Sequence, residues 1–295
     1  MGKLTKEHLQ AFLKTSAGEK GLRIAASVVS KEIISAAKYY VGQPDELYFT
    51  SDEFDESVVK AKKAYITLNT LMGGETAEED RFSEGKKQIP GLITEKGIKK
   101  MINLFTHLYL LGTGNTSIPF ETVRACRQTE ISEGVSFVGP LTSTTKLSVE
   151  EIMNLGYGDK NGLAICRYKF YDGAVVFDME ELGVHYSKPE EREVLILTGN
   201  KLLSRCCGYD NNFAGKDGKP AMVYEIEVYP PEFFEINETQ EELEEIVYNP
   251  KTIAEVKKLF EELNEEGEFP EITETYKEWK KAFQKLVHME LKKMS

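Results

Sequence analysis

The chain has 295 residues, a formal net charge of −12, 41% hydrophobic and 29% charged residues, the balance of a globular protein long enough to bury one substantial core plus a smaller lobe. The negative charge and the lack of a basic cluster argue against a nucleic-acid partner, because neutralising phosphates needs a surplus of Lys and Arg on one face. No apolar stretch approaches the roughly 20 residues that span a bilayer, and the start Met1-Gly2-Lys3-Leu4-Thr5-Lys6-Glu7-His8 lacks the apolar core of a signal peptide, so no membrane is expected and the chain is read as cytoplasmic or delivered by a non-Sec route.

Residues 5–112 are predicted to be mostly helical. Ala26, Val29, Ile33, Ala37 and Tyr40 recur at helical steps, as do Ile98, Met101, Ile102, Phe105, Leu108 and Tyr109. Between these stripes Gly73-Gly74-Glu75-Thr76-Ala77-Glu78-Glu79-Asp80 reads as an exposed acidic loop, and Gly112-Thr113-Gly114-Asn115 stops the second stripe. Neither glycine pair is followed by the Lys-Ser/Thr of a phosphate-binding P-loop.

From Thr122 the rhythm changes to short β-type runs: 122–126, 136–144, 163–170, 174–177, 194–197, 202–207 and 222–229, separated by Gly, Asp, Asn or Pro. One helix interrupts them, announced by the capping box Ser148-Val149-Glu150-Glu151. Pro230-Pro231 closes the strand region, and helices return with Ile253, Val256, Phe260 and Leu263 on one face and Tyr276, Trp279, Phe283 and Leu286 on another. Cys126, Cys166, Cys206 and Cys207 lack Cys-x-x-Cys spacing and read as reduced thiols. The four histidines are dispersed, so no metal site is expected.

Three motifs carry chemistry. Glu191 and Glu193 enter the apolar run Val194-Leu195-Ile196-Leu197 one residue apart, and strand alternation would set both carboxylates on one face. Upstream lie Arg124, in Thr122-Val123-Arg124-Ala125-Cys126, and the hydroxyl cluster Thr142-Ser143-Thr144-Thr145. An arginine fork holds phosphate oxygens bidentately, hydroxyls can fix a carboxylate rotamer, and a carboxylate stabilises a sugar cation of the kind formed in glycoside cleavage.

This order resembles the Arg / Ser-Thr-Ser / Glu-x-Glu signature of mono-ADP-ribosyltransferases related to the clostridial binary and C3-like toxins, over about residues 95–230. Val123, Ala125 and Thr145 depart from the family's usual residues. The resemblance implies NAD as substrate, no metal, and a protein target whose side chain, arginine for a Glu-x-Glu sequence, receives ADP-ribose as nicotinamide leaves. It implies that Arg124, Ser143, Thr144, Thr145 and Glu193 contact NAD, with Arg127 competing with Arg124 for the cation's role. Ser143 would orient Glu193, the group that stabilises the sugar cation, and Glu191 would position or deprotonate the acceptor. Residues 181–191 would face the acceptor, with Tyr186 as a contact, and 146–162 would lie near phosphate and nicotinamide. The implied fold is α+β: a mixed, mainly antiparallel two-sheet core over 95–235, an N-terminal helical region over 1–94 and a C-terminal helical extension over 236–295. A bacterial effector or toxin fits this set. Transfer to Thr or Ser, NAD hydrolysis, or a catalytically silent protein-binding scaffold are the alternatives.

Overall fold

The computed structural model describes Phe54 and residues 64–113, 121–139, 141–182, 189–233 and 235–295. The stripe from Ala26 to Tyr40 and the expected acceptor contact Tyr186 lie outside the described residues. The helices are α1 Ala64–Met72, α2 Ala77–Ser83, α3 Glu95–Thr113, α4 Val149–Asn154, α5 Gln240–Val247, α6 Pro250–Glu262 and α7 Glu274–Met294. The strands are β1 Glu121–Arg127, β2 Gly134–Phe137, β3 Thr142–Thr145, β4 Leu163–Phe170, β5 Val176–Asp178, β6 Glu193–Ile196, β7 Asn200–Ala214 and β8 Pro220–Pro231. No described helix is long and apolar enough to cross a membrane.

The chain divides into two units, one over Gly112–Glu232 and one combining Met1–Leu111 with Phe233–Ser295. Most of α3 thus groups with the C-terminal helices, where the sequence reading had attached it to the strand region.

The strand unit is an α+β arrangement with the order β2-β7-β8-β4-β1-β3-β6-β5. Among the described strands only β4 and β8 run parallel; the remaining pairs are antiparallel. The expected two sheets are joined into one hydrogen-bonded order at β1 and β3, through the single register pair Val123↔Thr145. That junction pairs backbone groups that two separate edges would leave exposed. The run predicted over 136–144 splits in two, because β2 pairs with β7 whereas β3 pairs with β6.

Alternation along β1 sorts its side chains onto two sides. Val123 and Ala125 pack with Leu147, Val149, Ile152, Leu163 and Ile165. Cys126 packs with Cys166, Tyr168, Ile226, Val194 and Ile196 on the other. On β7 the register shifts between Cys206 and Gly208, and Gly208 has φ +100, a left-handed value that glycine tolerates at a bulge.

In the helical unit the stripe of α7 is buried as its spacing predicts: Tyr276, Trp279, Phe283 and Leu286 are all nearly inaccessible. The Trp279 indole donates to Val247 O at 3.0 Å and stacks on Phe283 with centroids 5.6 Å apart. The expected acidic loop is different. Ala77–Ser83 is helical and Glu78 is only 2% exposed. Its carboxylate accepts from Lys280 Nζ at 2.6 Å and from the Tyr276 hydroxyl. A buried carboxylate is tolerated when paired and hydrogen-bonded, and both partners come from α7, about 200 residues away, which local sequence could not reveal. Lys280→Met strands Glu78 without its cation and should destabilise the helical unit by about 3–5 kcal/mol. Adding Glu78→Leu should recover most of that loss, and urea unfolding of the two variants checks both shifts.

Candidate active site

The site begins with the pairing of β3 and β6, in register Thr142↔Ile196, Ser143↔Leu195, Thr144↔Val194 and Thr145↔Glu193. Side chains directly across an antiparallel pair share a face, so Ser143, Thr145 and Glu193 lie on one face and Thr144 on the other. Ser143 Oγ donates to Glu193 Oε1 at 2.6 Å. The two threonines do something else. Thr144 is buried and its hydroxyl donates to Val194 O at 2.9 Å, while the Thr145 hydroxyl donates to Glu191 O and accepts from Leu147 N at 3.0 Å. One hydroxyl holds the carboxylate and two lock the backbone that presents it.

Glu191 and Glu193 do not share a strand, contrary to the alternation argument. Glu191 ends a 3-10 turn, Pro189–Glu191. Arg192 follows with φ 47, the one left-handed non-glycine among the described residues, and β6 starts at Glu193. Such a backbone costs on the order of 1–3 kcal/mol and persists only where its surroundings enforce it. The enforcing contacts are present. Lys146 N donates to Arg192 O at 3.2 Å, Arg192 Nε donates to Glu180 Oε1 at 3.1 Å, and Lys146 Nζ joins Asp178 at 2.7 Å and also Glu180. The turn nonetheless keeps the two carboxylates electrostatically close, because Glu191 is among the charges that raise the pKa of Glu193.

Glu193 keeps part of its surface in solvent, yet desolvation is the main cause of a pKa raised from the ordinary 4.5; the Ser143 hydrogen bond lowers it and Glu191 raises it further. Ser143 therefore favours ionisation of the one carboxylate that its surroundings press toward neutrality.

Arg124 is not brought to this face. It shares its side of β1 with Thr122 and Cys126, while Val123, directly opposite Thr145, shares the side of Ser143 and Glu193. Arg124 Nη2 forms an ion pair with Glu130 Oε2 at 2.6 Å, and Glu130 Oε1 also accepts from Arg127 N at 3.0 Å. Arg127 is exposed and shares the alternation of Val123 and Ala125. Burial lowers the pKa of Lys160, which also feels the charges of Glu130, Arg124 and Arg127. Among the described residues no group of three or more His, Cys, Asp or Glu side chains is arranged to hold a metal.

The residue that sequence reasoning missed is Tyr157, whose hydroxyl donates to Glu191 Oε1. The local signals were readable. Ser148 Oγ accepts from Glu151 N at 3.3 Å and Glu151 Oε2 accepts from Ser148 N at 2.7 Å, so the capping box starts α4 where expected. Gly156, at φ +85, stops it: Gly156 N donates to Met153 O at 3.0 Å and Tyr157 N to Ile152 O at 3.1 Å, the paired bonds of a glycine-terminated helix end. A helix with both ends specified fixes where the next residue emerges.

The raised pKa has a consequence for stability. A carboxyl that holds its proton more tightly when folded costs stability as pH rises from about 4.5 through its folded pKa. Glu193→Gln removes that cost while keeping an oxygen for Ser143. The variant should melt above the wild type at pH 7, and the difference should vanish at pH 4 and below; a wild type as stable as the variant at pH 7 would contradict this.

No family model and no curated protein matches the chain. Among solved structures it is similar to the ADP-ribosyltransferase Vis in complex with the M6 inhibitor, at 14% identity and a TM-score of 0.39 over 76% of this chain and 83% of that one. It is also similar to the Vis toxin, an ADP-ribosyltransferase from Vibrio splendidus, at 14% identity and a TM-score of 0.37 over 77% and 88% of the two chains. Plx2a, an ADP-ribosyltransferase toxin from Paenibacillus larvae, is similar at 14% identity and a TM-score of 0.31, over 71% of this chain and 99% of that chain.

Proposed function

We propose that the strand unit is an NAD-dependent mono-ADP-ribosyltransferase that modifies an arginine side chain of a protein. The observation that carries this reading is the Ser143 to Glu193 hydrogen bond across β3 and β6, with Glu191 in the turn just before the left-handed Arg192. A hydroxyl-oriented carboxylate with a raised pKa beside a second carboxylate suits two roles that must not be confused.

In this reading the bond between nicotinamide and ribose C1′ breaks with its electron pair leaving on nicotinamide, which departs neutral and needs no proton. Positive charge then develops on the ribose, and the ionised Glu193 stabilises it, a preorganised electrostatic role. A guanidinium nitrogen attacks C1′ from the acceptor side, and its proton passes to Glu191. Without an acceptor, water attacks C1′ and gives its proton to solvent, and the products are ADP-ribose and nicotinamide.

The resemblance assigns the nucleotide's pyrophosphate to Arg124, and two observations set conditions on that role: Arg124 lies on the side of β1 away from Glu193, so the nucleotide must reach both sides of the strand, and phosphate must displace Glu130 from the guanidinium. A fork that binds a carboxylate bidentately or singly can exchange it for phosphate, whereas an ammonium lacks the fork.

Three outcomes are expected. Glu193→Gln should lower turnover by roughly 10²- to 10³-fold with little change in NAD binding, read by nicotinamide release and calorimetry; near-wild-type turnover would remove Glu193 from the chemistry. Glu191→Gln should lose transfer to protein in a labelled-NAD assay while NAD hydrolysis persists, and equal loss of both would reassign Glu191 to the NAD step. In the third, Arg124→Lys should weaken NAD binding more than Arg127→Lys, and Glu130→Gln should strengthen it. The reverse ranking of the arginines would move the phosphate contact to Arg127, which shares the alternation of the site face.

A further inference from the structure

The structure points to Tyr157 as the positioning residue of Glu191, an inference that rests on the transferase reading above and assigns the group that aims the acceptor-side carboxylate. Glu191 ends a 3-10 turn and is followed by a left-handed residue, so it lacks the strand ladder that sets the direction of Glu193. A glutamate has enough rotamer freedom that leaving it unrestrained would spread the carboxylate over several positions. Its backbone is fixed on one side by the Thr145 hydroxyl at Glu191 O. Its carboxylate is reached from an independent element by the Tyr157 hydroxyl, at Oε1.

Tyr157 is itself anchored, which is what a positioning group requires. The glycine-terminated end of α4 fixes its backbone, its ring packs against the cluster that contains Val123, Val149, Ile152 and Ile165, and Lys160 stands over the ring at 5.5 Å from its centroid while donating to Tyr157 O at 2.8 Å. The tyrosine hydroxyl donates to one carboxylate oxygen and so sets the direction in which the carboxylate faces. Its benefit falls on transfer alone: hydrolysis of NAD uses Glu193, which Ser143 holds separately.

The test uses the full chain with labelled NAD and agmatine as a free guanidine acceptor, measuring ADP-ribosyl-agmatine and free ADP-ribose side by side. Tyr157→Phe keeps the ring and removes only the donor. It should lower transfer by about 10- to 100-fold, the range for a lost hydrogen bond to a charged group, while hydrolysis stays within about twofold. In a Glu191→Gln background the same change should leave both rates within about twofold, because the bond's partner charge is gone. Equal loss of transfer and hydrolysis in Tyr157→Phe, including loss through misfolding, would make the bond structural and overturn the inference. An unchanged transfer rate in Tyr157→Phe, with Glu191→Gln still separating transfer from hydrolysis, overturns the inference alone. If Glu191→Gln does not separate them, or the wild type transfers nothing to agmatine, the transferase reading of Glu191 falls and the inference with it.

Discussion

The hydrogen bond from Ser143 to Glu193 depends on a single choice of register between β3 and β6, and the rest of the site depends on that choice. A slip of one residue would turn every side chain of β6 to the opposite face, setting Glu193 against the apolar cluster of Tyr168 and Ile226 and taking Val194 and Ile196 out of it. The register is secured by more than the backbone ladder. Thr144 binds Val194 O and Thr145 binds Glu191 O, so the hydroxyl motif acts as a clamp on the segment that carries the carboxylates. The three hydroxyls share the work, with one on the Glu193 carboxylate and two on the backbone that carries it.

Placing two carboxylates together costs energy, and the surroundings show how the cost is met. Glu193 has its ionisation opposed by desolvation and by Glu191 and is supported by Ser143. Arg192, between the two, takes a backbone conformation that few non-glycine residues adopt, and an ion-pair network of Lys146, Asp178 and Glu180 holds it there. None of these network residues is needed for chemistry in the proposed reaction. Their charges serve the geometry of their neighbours, which is a common way for strain at a functional position to be maintained.

The acidic composition conceals different kinds of carboxylate. Glu241 and Glu242 open a capped helix and stay solvated, Glu130 neutralises a cation on β1, and Glu78 is enclosed with Lys280 and Tyr276. Net charge summarises these without distinguishing them, because the physical state of each depends on what the fold brings beside it.

Periodicity and end signals carried most of the architecture. The strand runs at 163–170 and 222–229, the apolar stripe of α7, and the capping box of α4 were legible because each is a local pattern whose period or hydrogen bonding is set within a few residues. The same is true of Ser143 and Glu193, whose order along the chain pointed to one site. Three features were decided only by tertiary structure. Strand alternation set Arg124 on the side of β1 away from Glu193, once Val123 was paired with Thr145. Contacts to Thr145, Lys146 and Glu180 made Arg192 left-handed and took Glu191 out of the strand. The end of α4 carried Tyr157 to Glu191 across 34 residues of sequence. The sequence by itself determined which residue types were available and in what order, since composition and local period are properties of neighbouring residues. Which faces they share, and which carboxylate meets which donor, was settled by pairings between distant segments, whose energies no local pattern encodes.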